Sequence, residues 1–247
     1  MPLNDIAIII RGVRVHQLHN WNTNSAQAIQ IQRELARQIS QKNEGISPQF
    51  IAGVDISVAD TTARAAVVVL SYPSLEIAEV KTDEDRLTFP YIPGLLSFRE
   101  APLVSAACKK LSTNPDLIMI DGHGIAHPRR LGLASHLGLF LDTPTIGCAK
   151  SRLCGKHEPP DNNASAYAEL VDNNEVIGVA LRTKVGANPI YVSIGHKIDL
   201  PTAIYWVLEC CRGYRLPEPT RLAHLAAGNK PIISRQQATS KNYSYNK

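Results

Sequence analysis

The sequence predicts an α/β fold, a central mixed sheet with flanking helices. Three observations carry that expectation. Three β-rich runs follow one another between residues 50 and 82. After them, short apolar runs alternate with segments of helical spacing, an order that gives α/β architecture. Finally, 247 residues, 44% hydrophobic and 19% charged, suffice to bury a real core and fit one large domain or at most two small ones.

Each element has its own signal. From Asn24 to Asn43, Ile29, Ile31, Leu35 and Ile39 recur at helical spacing. FIAGVDISVAD (50–60), RAAVVVLSYP (64–73) and LEIAEVKT (75–82) are β-rich and joined by short turns, YPS being the clearest, so they read as an antiparallel meander. Ser97 to Leu111 is a second helix, with Ser97 as N-cap and Glu100 three residues on, in its first turn. Asp116 to Ile120 is a fourth strand, Leu131 to Leu141 a helix, and TPTIGCA (143–149) a fifth strand. EVIGVALRT (175–183) and PIYVSIGHKI (189–198) form a hairpin. Thr202 to Cys211 is a helix, and PEPTRLAHLAAG (217–228) is the last one, starting at Pro219 or Thr220. The ribonuclease H-like fold is one known solution to this order.

Composition removes several classes. No run of 18 apolar residues occurs, so a membrane span is not expected. The early IAIII patch follows Asp5, is too brief for a signal peptide and has no cleavage site after it, so a cytoplasmic protein is expected. The cysteines, Cys108, Cys148, Cys154, Cys210 and Cys211, are odd in number and lack a C-x-x-C, against a disulfide framework or zinc ribbon. The net charge of +4 resides in residues 229–247, where Lys230, Arg235, Lys241 and Lys247 meet no acid. That tail has no apolar periodicity and reads as a disordered, solvated terminus, with non-specific nucleic-acid contact as the alternative.

Three carboxylates stand where chemistry is expected. Asp55 interrupts the apolar run AGVDISV, Glu100 follows PYIPGLLSFR, and Asp121 closes the fourth strand. A buried carboxylate without a partner costs several kcal/mol, roughly, so it finds a cation or a metal. Neither aspartate has a basic neighbour in its own strand, and hard oxygen donors converging from adjacent strands suit magnesium and a phosphate substrate. The bland reading for Asp55 is an edge strand facing solvent. His123 and His127 are spaced i, i+4, but Gly122, Gly124 and Pro128 break a helix there, which argues against a zinc hydrolase. No G-x-S-x-G, P-loop or dinucleotide fingerprint is present.

In PYIPG (90–94), Pro90 and Pro93 stiffen a segment that presents Tyr91 and Ile92. This is either a turn whose tyrosine packs on the core or a rigid wedge that enters a base stack. Lys150 ends the fifth strand at the same edge as Asp121 and could hold a phosphate or an attacking water, or be a surface lysine. Arg129 and Arg130 could serve phosphates equally well.

PYIPGLLSFREAP, DLIMIDGHGIAHPRRLGLASHLG and PTIGCAKSRLCG together resemble the endonuclease V family of deoxyinosine-directed nucleases. HNWN (19–22), AGVDISV, VSIGH (192–196) and PEPTRLAH fit the same pattern in the same order, so the resemblance covers residues 19–228. Residues 1–18 and 229–247 flank it as an N-terminal extension and a basic tail. The resemblance implies a ribonuclease H-like catalytic domain using Mg²⁺, for which Mn²⁺ can substitute. It implies hydrolysis of the second phosphodiester bond 3′ to a deaminated purine in DNA, leaving 3′-hydroxyl and 5′-phosphate ends. Asp55, Glu100 and Asp121 match the family's catalytic carboxylates, with Lys150 and His127 as further active-site residues. His224 matches a fourth metal-site position where other members often have Asp. Tyr91, with Ile92 and Pro93, matches the wedge. Gly94, Leu96, Gly122 and Gly124 match the base pocket, and Arg129 and Arg130 approach the phosphates. Ala101 departs from a frequent Gly without touching the carboxylates. Expected partners are DNA containing deaminated bases, with inosine-containing single-stranded RNA as the alternative substrate; a monomer is expected. A binding-only module would be expected to lack one of the carboxylates.

Overall fold

An eight-stranded mixed sheet, ordered β3-β2-β1-β4-β5-β8-β7-β6, forms the centre of the computed structural model, which describes residues 13–232. Its strands are β1 Phe50–Ala59, β2 Thr62–Ser71, β3 Glu76–Arg86, β4 Leu117–Ile120, β5 Thr145–Ala149, β6 Tyr167–Asp172, β7 Glu175–Leu181 and β8 Ile190–His196. The first three are the expected antiparallel meander. β4 then joins β1 in parallel and β5 joins β4 in parallel, while β8, β7 and β6 continue antiparallel. Asp55 is therefore on an interior strand, not an edge.

Alternation along the strands sorts residues to two faces. Ile51, Val68, Leu117, Met119 and Ile146 face α4 (Leu200–Glu209) and α5 (Glu218–Ala227). Ala52, Val54, Val67, Ile118 and Ile120 face α2 (Leu96–Lys109) and α3 (Leu133–Leu141). α5 can lie close to β1 because position 53 is glycine. A Cβ there would fall 1.9 Å from the Pro219 carbonyl oxygen.

Several boundaries differ from the sequence reading. α1 spans Ser25–Leu35 with an Asn24–Gln27 capping box and ends in a 3-10 turn, Ala36–Gln38, so Ile39 lies beyond it. α2 starts one residue before Ser97, its N-cap position is Leu95 with no side-chain cap, and its first turn holds no acid. Ser97 does not cap the helix, because its buried hydroxyl is bonded to His136 instead, and Glu100 is left free for the strand ends. β6 escaped the sequence reading: of YAELVD only Leu170 is buried, too little apolar alternation to signal a strand.

The fold also extends past both expected boundaries. Val13 and Val15 pack on the α2–α3 side, and the His16 amide donates to Phe140. Ile232 packs on the α4–α5 side, and Lys230 N–H donates to Leu225. The disorder expected for the basic tail falls largely on 233–247, outside the described residues. Among the described residues no helix is long and apolar enough to cross a membrane.

Candidate active site

β4 and β5 end beside the middle of the longer β1, and each of these three adjacent strands delivers one charge. β1 and β4 pair in parallel up to Val54 opposite Ile120, and the Asp121 amide then donates to the Val54 carbonyl. Asp55 and Asp121 thus become neighbours one residue past the last pair. Lys150 follows β5, and its ammonium bonds Asp121 and lies 3.5 Å from Asp55 Oδ2. Open α/β sheets place ligands at such carboxyl ends of parallel strands.

α5 supplies the fourth group. With Gly53 admitting Pro219 and Thr220 against β1, His224 reaches Asp55 in the middle of that strand, its Nδ1 2.7 Å from Asp55 Oδ2. One donor atom each from Asp55, Asp121 and His224 lies within 4.8 Å of the others. Glu100 is outside that tight group but within electrostatic reach from α2. Burial and then the charge of Asp55 raise its pKa to about 8, with Asp121 adding and Arg99 opposing. Burial and Asp55 likewise raise Asp121 to about 6 against the pull of Lys150 and His224. Burial works against the Lys150 ammonium, yet Asp121 and Asp55 hold it protonated beyond the ordinary range. Asp55 and Asp121 about one lysine, with Glu100 held protonated near neutral pH, leave an excess of acidic groups over cationic ones. Hard oxygen donors in that excess, with one imidazole, fit a divalent cation such as Mg²⁺ or Mn²⁺.

Beside this centre is a cavity of about 180 Å³, lined by the segment Tyr91–Gly94, by Leu96, Ser97, Gly122, His123 and His127, and by the 151–153 loop. Tyr91 is 70% exposed, so the reading in which it packs on the core does not hold. Gly94 has a left-handed φ of 78°, and its carbonyl is gripped by His127 Nε2–H and Arg129. His127 is buried and also accepts from the Arg129 amide; burial lowers its pKa to about 4. The structure therefore places His127 in the cavity wall and gives both its nitrogens partners.

Gly124 does not line the cavity. A Cβ there would lie 1.9 Å from the Ile194 carbonyl oxygen, and its amide donates to Ser193, so it seats the loop on β8. Arg130 pairs with Asp172 and Glu175 at 3.0 and 2.7 Å, and Arg129 bonds Gln32 and Gly94. As folded, these two arginines brace the cavity wall. Sequence reasoning missed Ser97, His123 and the 151–153 loop as lining residues, and His19 and His136 behind them. Only the HNWN motif hinted at His19.

Fold and site define the class: a hydrolase acting on phosphodiester bonds, built on a ribonuclease H-like sheet. The Endonuclease V family matches residues 33–225, and the chain belongs to that family. An Endonuclease V of Dehalococcoides mccartyi (strain BAV1) is 52% identical over 218 residues, covering 87% of this chain and 98% of that protein. The crystal structure of the Endonuclease V from Streptomyces avermitilis superimposes with a TM-score of 0.81 at 38% identity, covering 88% of this chain and 96% of that one. The Ciona intestinalis Endonuclease V, solved in complex with a 24mer DNA containing an inosine followed by a ribo-adenosine, superimposes at 0.72 and 29% identity, covering 83% and 96%.

Proposed function

We propose that this endonuclease recognises deaminated purines, deoxyinosine above all, in DNA and hydrolyses the second phosphodiester bond on their 3′ side, with Mg²⁺ or Mn²⁺ as cofactor. The observation that carries the reading is the adjacency of the carboxylate centre to a cavity flanked by the exposed Tyr91. A base flipped into the cavity leaves its strand running past the carboxylates. Asp55, Asp121 and His224 would hold the cation, with Glu100 completing the charge around it. When bound, a divalent cation polarises the phosphoryl group, acidifies water and stabilises a leaving oxygen. Lys150, on a flexible stem with 35% of its side chain exposed, exchanges its carboxylate partners for a non-bridging phosphate oxygen as the strand arrives. Pro90 and Pro93 hold Tyr91 rigid so that its ring fills the gap in the stack. Leu96 and Gly122 present backbone and small surfaces to the flipped base.

A second reading, inosine-containing RNA, is favoured by one observation: the Ciona relative was solved with a ribo-adenosine following the inosine. The test is incubation of the protein with matched inosine-containing DNA and RNA strands, with and without Mg²⁺. The DNA should be cut once, at the second linkage 3′ of inosine, leaving 5′-phosphate, and only with metal. Asp121→Asn should abolish cutting while inosine-strand binding persists. Uncut inosine DNA alongside cut RNA would replace the first reading with the second. Metal-independent cutting would remove the cation from the mechanism.

A further inference from the structure

Behind the cavity runs a chain of hydrogen bonds, exposed at its Asn20 end and buried at Ser97, that fixes the polarity of one lining residue. His19 Nδ1 lies 2.9 Å from the Asn20 carbonyl oxygen, His19 Nε2 lies 2.8 Å from His136 Nε2, and His136 Nδ1 lies 2.9 Å from Ser97 Oγ. A carbonyl can only accept, so His19 carries its proton on Nδ1 and accepts at Nε2. His136 must then donate from Nε2 and accept at Nδ1. Only the Ser97 hydroxyl can supply that last proton. Burial lowers the pKa of His19 and sends that of His136 well below the ordinary range, which favours the neutral forms that this bonding pattern requires. Ser97 has one proton, and the chain uses it. What remains at Oγ is acceptor capacity alone.

A second lining group has the same character. His123 is hydrogen-bonded to the backbone of Ser151. Its buried Nδ1 has no partner among the described residues. The residues that line the cavity thus include two side-chain acceptors, the Ser97 hydroxyl oxygen and the buried His123 Nδ1.

We propose that Ser97, polarised by the His136–His19 pair, selects deaminated purines by accepting a hydrogen bond from the N1–H of the flipped base. The inference deepens the function proposed above and rests on it. Deamination of adenine changes two ring-edge groups together. The 6-amine becomes a carbonyl, and N1 turns from an acceptor into an N–H donor. The Ser97 acceptor pairs with that N–H and faces the lone pair of adenine N1 with another lone pair. A site that leaves buried polar groups unpaired by the wrong ligand discriminates far better than a shape-only pocket. Ser97 is a specificity-determining residue on this account, and His136 and His19 are positioning residues acting through it.

Two measurements test it. The first is ¹⁵N NMR of the histidine-labelled full chain at pH 7. His136 should show Nε2–H with bare Nδ1, and His19 the opposite tautomer. A proton on His136 Nδ1 would make Ser97 an acceptor within the chain and overturn the proposal. The second compares binding of strands carrying inosine or unsubstituted purine, which lacks both N1–H and the carbonyl, in Ca²⁺ without turnover. Ser97→Ala should weaken inosine binding about 2- to 12-fold, the worth of one hydrogen bond, and should not weaken purine binding. Equal loss on both strands, or loss on neither, would sink the N1–H hydrogen bond. Ser97→Thr, which keeps the hydroxyl, should retain the preference; a variant with lowered thermal midpoint that still separates the two strands supports that bond. Wild-type protein that binds inosine no better than adenine would instead refute the function on which this rests, while leaving the NMR result intact.

Discussion

At the residue scale the carboxylates were legible because their local chemistry is anomalous. Asp55 in an apolar strand and Asp121 at the tip of another demand partners, and the fold supplies Lys150 and His224 from elements 95 and 169 residues away in sequence. The capping role read for Ser97 was local logic defeated by a tertiary bond to His136. Tyr91 was ambiguous in sequence, and its exposure now favours the wedge. Base–aromatic stacking is worth about 1–3 kcal/mol, so Tyr91→Ala should lose roughly 5- to 150-fold in duplex binding. In single strands, where the base is already largely free, the loss should be smaller, and Tyr91→Phe should be mild. Equal losses on single and double strands with a lowered melting temperature would remove Tyr91 from the substrate path. His127 permits a pH test. Its pKa is about 4 in the fold against an ordinary 6.5, so between these values the unfolded chain binds a proton that the folded chain does not. Stability is therefore intact above pH 6.5 and lost as pH falls toward 4, by at most about 3 kcal/mol from this residue. Urea unfolding at pH 7 and pH 4.5 should show a smaller acid-induced loss in His127→Gln than in wild type. An identical loss would mean that His127 is not the group being titrated.

At the element scale the site depends on how closely α5 approaches β1, which no periodicity in the sequence reveals. Sequence reading located α5 within one or two residues of its observed start at Glu218, yet gave no reason for Gly53 beyond its place in a strand. The reason is the Pro219 backbone pressed against it. Gly53→Ala should push α5 outward, costing about 1–3 kcal/mol by overpacking. Because α5 carries His224, the same substitution should weaken Mn²⁺ binding, measured by calorimetry, more than an equally destabilising change in α4, such as Val207→Ala, does. If metal affinity falls equally in both, α5 placement has no special bearing on the metal group. β6 illustrates the opposite limit. A strand at the sheet's outer edge needs little apolar surface, so its pattern was silent, and only pairing with β7 defines it.

At the scale of the whole molecule, charge and fold have different boundaries. The resemblance in sequence ends at Gly228, and the basic residues begin at Lys230. The packed structure continues to Ile232, with Asn229 accepting from Arg64, Lys230 N–H donating to Leu225 and Ile232 in contact with the α4–α5 core. Two truncations separate these terms. Ending the chain after Ile232 removes Arg235, Lys241 and Lys247 while keeping all of that packing. Its thermal midpoint should stay within about a degree of wild type, since substitutions away from packed features cost little. If the tail meets phosphates, the slope of log affinity against log salt should flatten by about 0.7–0.9 for each phosphate that the removed residues had neutralised, while preference for inosine is kept. Ending the chain after Gly228 removes the Ile232 packing and both hydrogen bonds as well. It should cost a further 1–3 kcal/mol or so. It should also loosen the end of α5 and so reduce metal affinity near His224. Equal thermal midpoints for the two truncations would show that residues 229–232 contribute nothing to the fold, and an unchanged salt slope in both would leave the tail without a role in binding.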